Sequence, residues 1–344
     1  MILSYKTFVL EYKHPFGVSS NIRKTTTSVF IKIQHEGKVG YGEACLPVYL
    51  GETVEGTIAF FEKVKPFLVH HASASFNEII NAIDEFSLEN NAAKAAIDIA
   101  LNDLTGKIER KPFYDLIGIG KSDSRLTSYT IGIDSEEMIG QKIKEAADFS
   151  ILKIKAGTKD DKALINLIRK YTDKPLYVDV NQGWKNKEEV LEMLFWLHEK
   201  NVILIEQPMP VSMLDEMAWV TERSPIPTIA DESVKRLSDL DKIKDCFSGI
   251  NIKLMKSTGL TEALKMINYA KENKLEILLG CMAESSCATS AMAQLMKFAD
   301  YIDLDAPNLL LNDPFKGVTY KNGKIYLNDL PGIGAEPGLT FLTT

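Results

Sequence analysis

S-I-L-K-I-K-A-G, residues 150–157, sets two ammonium groups among apolar side chains. Ile151, Leu152 and Ile154 mark a short buried strand, and in an extended chain side chains at i and i+2 share a face. Lys153 and Lys155 therefore converge. Like charges held together at a core or its rim make each other costly, and the usual relief is a depressed pKa on one or both, which suits a base working near neutral pH. An edge strand showing both lysines to water is the competing reading of this segment taken alone.

Outward from this strand the chain alternates. Strands are read at 127–133, 151–155, 176–179, 202–206, 228–231, 249–253, 276–280 and 301–303, with helical stretches between most of them. Such alternation predicts an α/β fold with a parallel barrel. Upstream, 2–12, 25–35 and 39–42 read as strands of a small antiparallel sheet, and 53–68, 76–86 and 91–107 as helices. In the last helix Ala95, Ile99, Ala96, Ala100 and Leu104 form an apolar stripe, the alanines imply close backbone packing, and Gly106 reads as the C-terminal stop. Residues 13–24, K-H-P-F-G-V-S-S-N-I-R-K, are rich in turn formers and read as a flap over a site or as a simple connector, and 46–53 is a second segment of that kind. Near the end, 319–320 and 324–327 flank an N-G turn, and the tail is expected to rejoin the first domain. The division that follows is an α+β unit at 1–125 completed by 311–344, and a barrel at 126–310.

A chain of 344 residues accommodates one barrel of roughly 250 residues plus a smaller partner. Hydrophobic residues at 45% and charged residues at 25% exclude disordered and fibrous classes. A net charge of −7 with no block of lysine and arginine leaves nucleic acid without an electrostatic footprint. Cys45, Cys246, Cys281 and Cys287 are too scattered for a disulfide framework or a zinc site, so free thiols in a reducing cytosol are expected. The start alternates like a strand rather than a signal peptide, and no apolar run reaches the roughly 18 to 20 residues of a membrane span. A cytoplasmic protein without membrane or nucleic-acid partners is the expectation; assembly into a homo-oligomer is left open.

Charged residues close successive strands: Lys155, Asp179, Glu206, Asp231, Lys253 and Asp303, at intervals of 24, 27, 25, 22 and 50 residues. In a parallel barrel all strand C-termini open on one face, so these groups gather at one mouth. Asp179, Glu206 and Asp231 form a hard oxygen cluster that is tolerable around a cation, Mg2+ or alternatively Mn2+. Helix caps or solvated strand ends are the competing reading. Lys155 and Lys253, on strands two and six, face each other across the mouth. A substrate carboxylate on the metal would place its α-carbon between them, so that one removes the α-proton and the other returns it on the far face. The metal would stabilise the doubly charged enediolate. Lys153 is expected to stay charged and hold down the pKa of Lys155.

K-I-K at 153–155, D-V-N-Q-G-W at 179–184, I-E-Q-P at 205–208, A-D-E-S at 230–233, N-I-K-L-M-K at 251–256 and the alanine-rich helix at 92–104 resemble the enolase superfamily, in its muconate lactonizing enzyme subgroup. The resemblance spans the chain. It implies a modified (β/α)7β TIM-like barrel under an α+β cap made from both chain ends, with one Mg2+ per subunit. The last strand reads Y-I-D-L-D-A-P at 301–307, and Asp303 and Asp305 share a face. This D-x-D resembles dipeptide epimerases, in which the pair binds the α-ammonium of an N-terminal residue. That likeness implies inversion of the C-terminal residue of L-Ala-D/L-Glu from cell-wall peptides, with hydrophobic or mixed dipeptides as alternatives. A glutamate side chain would need a cation, Arg23 ahead of Lys24; Glu284 and Thr130 are further candidates for substrate contact. An o-succinylbenzoate synthase or cycloisomerase of the same subgroup would leave D-L-D without an ammonium to bind. The mandelate racemase type needs a histidine at the mouth, and His14, His35, His70, His71 and His198 fall outside the predicted strand ends. A Schiff-base aldolase barrel using Lys253 and a non-catalytic binding barrel are the readings from other classes.

Overall fold

Glycine and alanine decide how the N-terminal unit closes. In the computed structural model, which describes residues 1–18, 21–46, 48–339 and 341, strands Ile2–Val18, Asn21–His35 and Lys38–Cys45 form an antiparallel sheet in sequential order. Helix Asn91–Glu109 lies on the third strand, and a Cβ at Gly40 or Gly42 would come within 2.0 Å of the carbonyl oxygens of Ala100 and Ala96. The close packing expected of the alanines is therefore met by glycines opposite. Gly106 is not the stop. The helix runs on to Glu109 and ends at Arg110 in the left-handed region, φ 57°, while Gly106 faces Gly332, whose Cα a Cβ would meet at 2.4 Å. Helices Val54–His70 and Phe76–Asp84 complete this unit, the first capped by Thr53 and the second by a Ser75/Glu78 capping box.

Residues 13–18 and 21–24 are strand rather than loop. The first two strands pair through an irregularity between Glu11 and Phe16 and resume as Phe16 with Arg23, Gly17 with Ile22 and Val18 with Asn21; residues 19 and 20 lie outside the described set. Gly17 docks this hairpin on the barrel, its carbonyl accepting from Ile133 N at 3.1 Å. In 46–53 the chain makes a single 3-10 turn, Val48–Leu50, with residue 47 outside the described set.

The barrel strands are Ser128–Ile131, Ile151–Lys155, Leu176–Asp179, Val202–Glu206, Thr228–Ala230, Gly249–Ile252, Glu276–Gly280 and Tyr301–Asp303, parallel and in chain order. The first, fifth and sixth are shorter than the sequence suggests, so Asp231 and Lys253 stand one residue past their strands. Strands one and eight meet through Leu304 N donating to Thr127 Oγ1 at 2.9 Å and Ser128 Oγ donating to Asp303 Oδ1 at 2.7 Å. Ile151, Tyr177, Leu204, Ile229 and Leu278 pack together in a buried cluster.

The tail divides its contacts. Thr319–Lys321 pairs with Lys324–Tyr326, and the latter pairs with Arg125–Leu126 just ahead of the first barrel strand. Phe315 stacks on Phe30 of the N-terminal sheet and Phe341 meets the same ring edge-on, at 5.3 and 5.2 Å between ring centroids. Among the described residues no helix is long and apolar enough to cross a membrane.

Glu43, fully buried on the third strand, accepts from Ser28 Oγ at 2.8 Å, Ser285 Oγ at 2.6 Å, Ser285 N at 3.1 Å and Ala288 N at 3.2 Å. Burial pushes its carboxyl up from 4.5 to about 7, although these donors pull the other way. A carboxyl raised by folding favours the fold when protonated, and that contribution is lost as pH climbs from 4.5 to about 7. Across this window the unfolding free energy should fall by about 3 kcal/mol relative to Glu43→Gln, read by urea titration. Parallel curves for the two proteins would mean that the hydrogen bonds already stabilise the anion.

Candidate active site

Strand register brings the charges together. Lys155 pairs with Asp179 across strands two and three, and Asp179 with Glu206 across three and four. Asp231 and Lys253 follow strands five and six. Above them lies a cavity of about 550 Å³ between the barrel mouth and the N-terminal sheet. Lys153, Lys155, Asp231, Lys253, Asp303 and Asp305 line it from the barrel; Arg23, Tyr12, Phe16 and Tyr49 close it from the cap.

The expected metal cage is not drawn together as such. Among the described residues no three histidine, cysteine, aspartate or glutamate side chains are arranged to hold an ion, because each carboxylate is turned onto an ammonium group. Lys155 Nζ is 2.6 Å from Asp179 Oδ2, and Lys153 Nζ is 2.7 Å from both Glu206 Oε2 and Asp303 Oδ2. Lys253 Nζ is 2.8 Å from Asp231 Oδ2, and Lys256 Nζ is 2.6 Å from Asp231 Oδ1. These pairs also keep Lys153 charged, as the sequence reading expects, with carboxylates rather than a lost proton relieving the repulsion. Burial alone would lower Lys153, but Asp303, Glu206 and Asp179 outweigh it and hold the ammonium well above its usual value. Lys253 is raised in the same way, against burial, by Asp231 and Glu206.

The donor set nevertheless suits a hard divalent cation. At the barrel mouth Asp179, Glu206, Asp231, Glu232, Asp303 and Asp305 set six carboxylates against the four ammonium groups of Lys153, Lys155, Lys253 and Lys256, an acidic excess that Arg23 on the cap side only partly offsets. The excess is felt locally: burial and the charges of Asp231 and Asp179 push Glu232 up to about 7, and burial with Asp179 also raises Glu206. Asn181 Oδ1 and Glu232 Oε2 are buried with no hydrogen-bond partner, as oxygen donors awaiting a cation would be.

The two aspartates of D-L-D have different surroundings. Asp303 is taken up by Lys153 and Ser128, while Asp305 accepts from Thr130 N at 2.5 Å and is pushed up to about 7 by burial and by Asp303. Thr130 and Arg23 both line the cavity, whereas Lys24 is exposed. Glu284 does not reach it. Its carboxylate is buried behind Met282 and Ala283, accepts from Met282 N at 3.3 Å, and is raised by burial and by Glu43. None of the five histidines lines the cavity.

Several contacts were not read from the sequence. Lys256 is 1% exposed and binds Asp231 through both its carbonyl and its carboxylate, and Asn251 Nδ2 donates to Glu206 Oε1 at 2.7 Å. Both stand in N-I-K-L-M-K, where a second lysine in an otherwise apolar run was the available signal. Gln207, held in the left-handed region at φ 37°, accepts from Asp231 N and Ser233 N at 3.0 and 3.1 Å and so fixes the start of the loop after strand five.

Two family models match the chain: "Mandelate racemase / muconate lactonizing enzyme, N-terminal domain" over residues 4–118 and "Enolase C-terminal domain-like" over 138–339. The L-Ala-D/L-Glu epimerase of Bacteroides thetaiotaomicron is 47% identical over 337 residues, covering 97% of this chain and 87% of that protein. The substrate-liganded L-Ala-D/L-Glu epimerase of Bacillus subtilis superposes with a TM-score of 0.92 at 28% identity, over 98% of each chain. The dipeptide epimerase of Enterococcus faecalis V583, complexed with Mg and L-Leu-L-Tyr, gives 0.89 at 31% identity, over 97% of this chain and 99% of that one. The matched models, the relative that shares nearly half of the residues and the barrel mouth described above lead to one assignment: the chain belongs to the enolase superfamily, in its mandelate racemase/muconate lactonizing enzyme subgroup.

Proposed function

We propose that the chain is a dipeptide epimerase of L-Ala-D/L-Glu, inverting the α-carbon of the C-terminal residue by proton transfer between Lys155 and Lys253. The observation that carries this reading is their placement: strands two and six of eight, on opposite sides of one mouth, with both amines lining the same cavity. The Bacteroides relative supports the substrate. Mg2+, named in the Enterococcus faecalis complex, is the proposed cofactor, with Mn2+ compatible with the same oxygens, and Asp179, Glu206 and Asp231 would hold it. When bound, the ion supplies positive charge that lowers the cost of a second negative charge on the substrate as the α-proton leaves.

Each lysine has a part in both directions. The neutral amine takes the α-proton at Nζ from its own face, and the opposite ammonium returns one, which inverts the carbon. Lys153 stays an ammonium against Glu206 and Asp303. Asp305, backed by Asp303, would accept the α-ammonium of the substrate, and Arg23 would meet the glutamate carboxylate. The free thiols and a substrate from recycled cell-wall peptide suit a cytoplasmic enzyme.

The test is wash-out of the α-proton from L-Ala-L-Glu and L-Ala-D-Glu in D2O with Mg2+; no exchange from any dipeptide would end the reading. Arg23→Met should lower kcat/KM for L-Ala-L-Glu about 100-fold and leave L-Ala-L-Leu within about threefold, since a charge-assisted bidentate contact is lost only for the first. Equal losses on both would take Arg23 out of the site. Phe16, Met282 and Leu309 on the cavity wall favour a second reading, in which hydrophobic dipeptides are also turned over.

A further inference from the structure

Two cap carboxylates are buried against the backbone of the barrel without an ion-pair partner among the described residues. Glu43, near the end of its strand, lies at the start of helix Ser286–Ala293, accepting from Ser285 N, Ser285 Oγ and Ala288 N. Asp98, 1% exposed on helix Asn91–Glu109, sits at the start of helix Leu260–Glu272, where Oδ1 accepts from Leu260 N at 2.5 Å and Thr261 N at 3.3 Å. The approach is close: a Cβ on Gly259, φ 114°, would be 2.4 Å from Asp98 Oδ1. Helix starts present unsatisfied N–H groups and positive potential, so a buried anion is held there without a countercharge.

These two helices follow barrel strands six and seven. The loop that Asp98 fixes begins at Lys253, whose carbonyl accepts from Lys256 N at 2.9 Å and Ser257 N at 3.1 Å, and reaches Leu260 through Gly259 N bonded to Leu254 O at 3.1 Å. The segment that Glu43 fixes includes Cys281, Met282 and Ala283, which wall the cavity, and Cys45, two residues beyond Glu43, donates from Sγ to Ala283 O at 3.3 Å. Leu46 and Tyr49, further along the same cap segment, line the cavity too.

We infer that Glu43 and Asp98 are positioning residues for the reaction: Asp98 sets the loop that carries Lys253, and Glu43 sets the two walls formed by Cys45, Leu46 and Tyr49 and by 281–283. Asp98 thus acts on the placement of a reacting amine and Glu43 on the shape of the substrate pocket. The kinetic part of this inference rests on the epimerase reading; the structural part does not.

The experiment uses the full chain with Mg2+ and compares Asp98→Asn and Glu43→Gln by steady-state kinetics on L-Ala-L-Glu and by amide hydrogen exchange. Asp98→Asn should lower kcat about 100-fold with KM nearly unchanged, the scale of a small displacement of a catalytic group. Glu43→Gln should raise KM about tenfold with kcat nearly unchanged, the scale of losing charge-assisted hydrogen bonds that hold a binding wall. Exchange should quicken at Leu260 and Thr261 in the first variant and at Ser285 and Ala288 in the second, each without the other. If Glu43→Gln does not fold, Ser285→Ala removes the Oγ contact to Glu43 from the barrel side while keeping the backbone N–H, and should raise KM in the same direction by a smaller factor. Lowered thermal stability with kcat and KM unchanged per folded molecule, or exchange that quickens evenly over the chain, would overturn the inference. A wild-type protein that exchanges no α-proton would end the epimerase reading instead, and local amide exchange would still decide whether the carboxylates hold their loops.

Discussion

Lys155→Ala and Lys253→Ala are each expected to lower epimerisation about 10³- to 10⁴-fold, the contribution of a positioned acid or base in proton transfer. The structure makes these clean substitutions. Without Lys155, Asp179 keeps Lys153 at 3.2 Å, and without Lys253, Asp231 keeps Lys256 at 2.6 Å, so neither change strands a buried carboxylate. A sharper signature lies in isotope exchange. A two-base mechanism assigns each lysine one face of the α-carbon, so Lys155→Ala should retain wash-out from one stereoisomer only, and Lys253→Ala from the other. Near-normal turnover in either variant would remove that lysine from the chemistry. Loss of exchange from both stereoisomers in each variant would mean that the lysines act as a unit rather than as opposed bases. Trapping of substrate on Lys253 by borohydride would move the protein to Schiff-base chemistry.

What could be read beforehand was local, and what could not was long-range. Runs such as I-L-K-I-K and V-I-L-I-E carry their strand bounds in their own composition, and the spacing of charged residues at strand ends predicts a common mouth once the strands are parallel. Pairing partners are another matter. Two lysines on one face suggest mutual repulsion, yet Lys153 meets carboxylates from strands four and eight, 53 and 150 residues away, and these reverse the sign of its shift. Turn-forming residues at 13–24 suggest a loop, whereas Gly17 is there because the hairpin abuts Ile133 on the barrel. Gly106 likewise looks like a helix stop until Gly332 is brought against it from the tail. Composition records the backbone freedom of such glycines but not the neighbour that requires it.

Asp305→Asn should lower kcat/KM for a dipeptide with a free α-ammonium about 10²- to 10³-fold, the cost of leaving a buried charge without its partner. The amide keeps the shape of the side chain and can still accept from Thr130 N, so the loss isolates the charge. Asp303→Asn is a poorer probe, since it also unpairs Lys153. The control is an N-acetyl dipeptide, which lacks the ammonium: already poor with the wild type, it should change little in the variant. Burial and Asp303 hold Asp305 up to about 7, so without substrate the carboxyl gains its charge as pH rises through that value. An ammonium binds only the ionised form. KM for the free dipeptide should therefore fall between about pH 6 and pH 8 in the wild type and lose that dependence in Asp305→Asn. Equal losses on the free and acetylated dipeptides would make Asp305 a structural group. Unchanged kinetics on the free dipeptide would leave the D-L-D pair without an ammonium to recognise, and the cavity would have to select its substrate through Arg23 and the apolar wall alone.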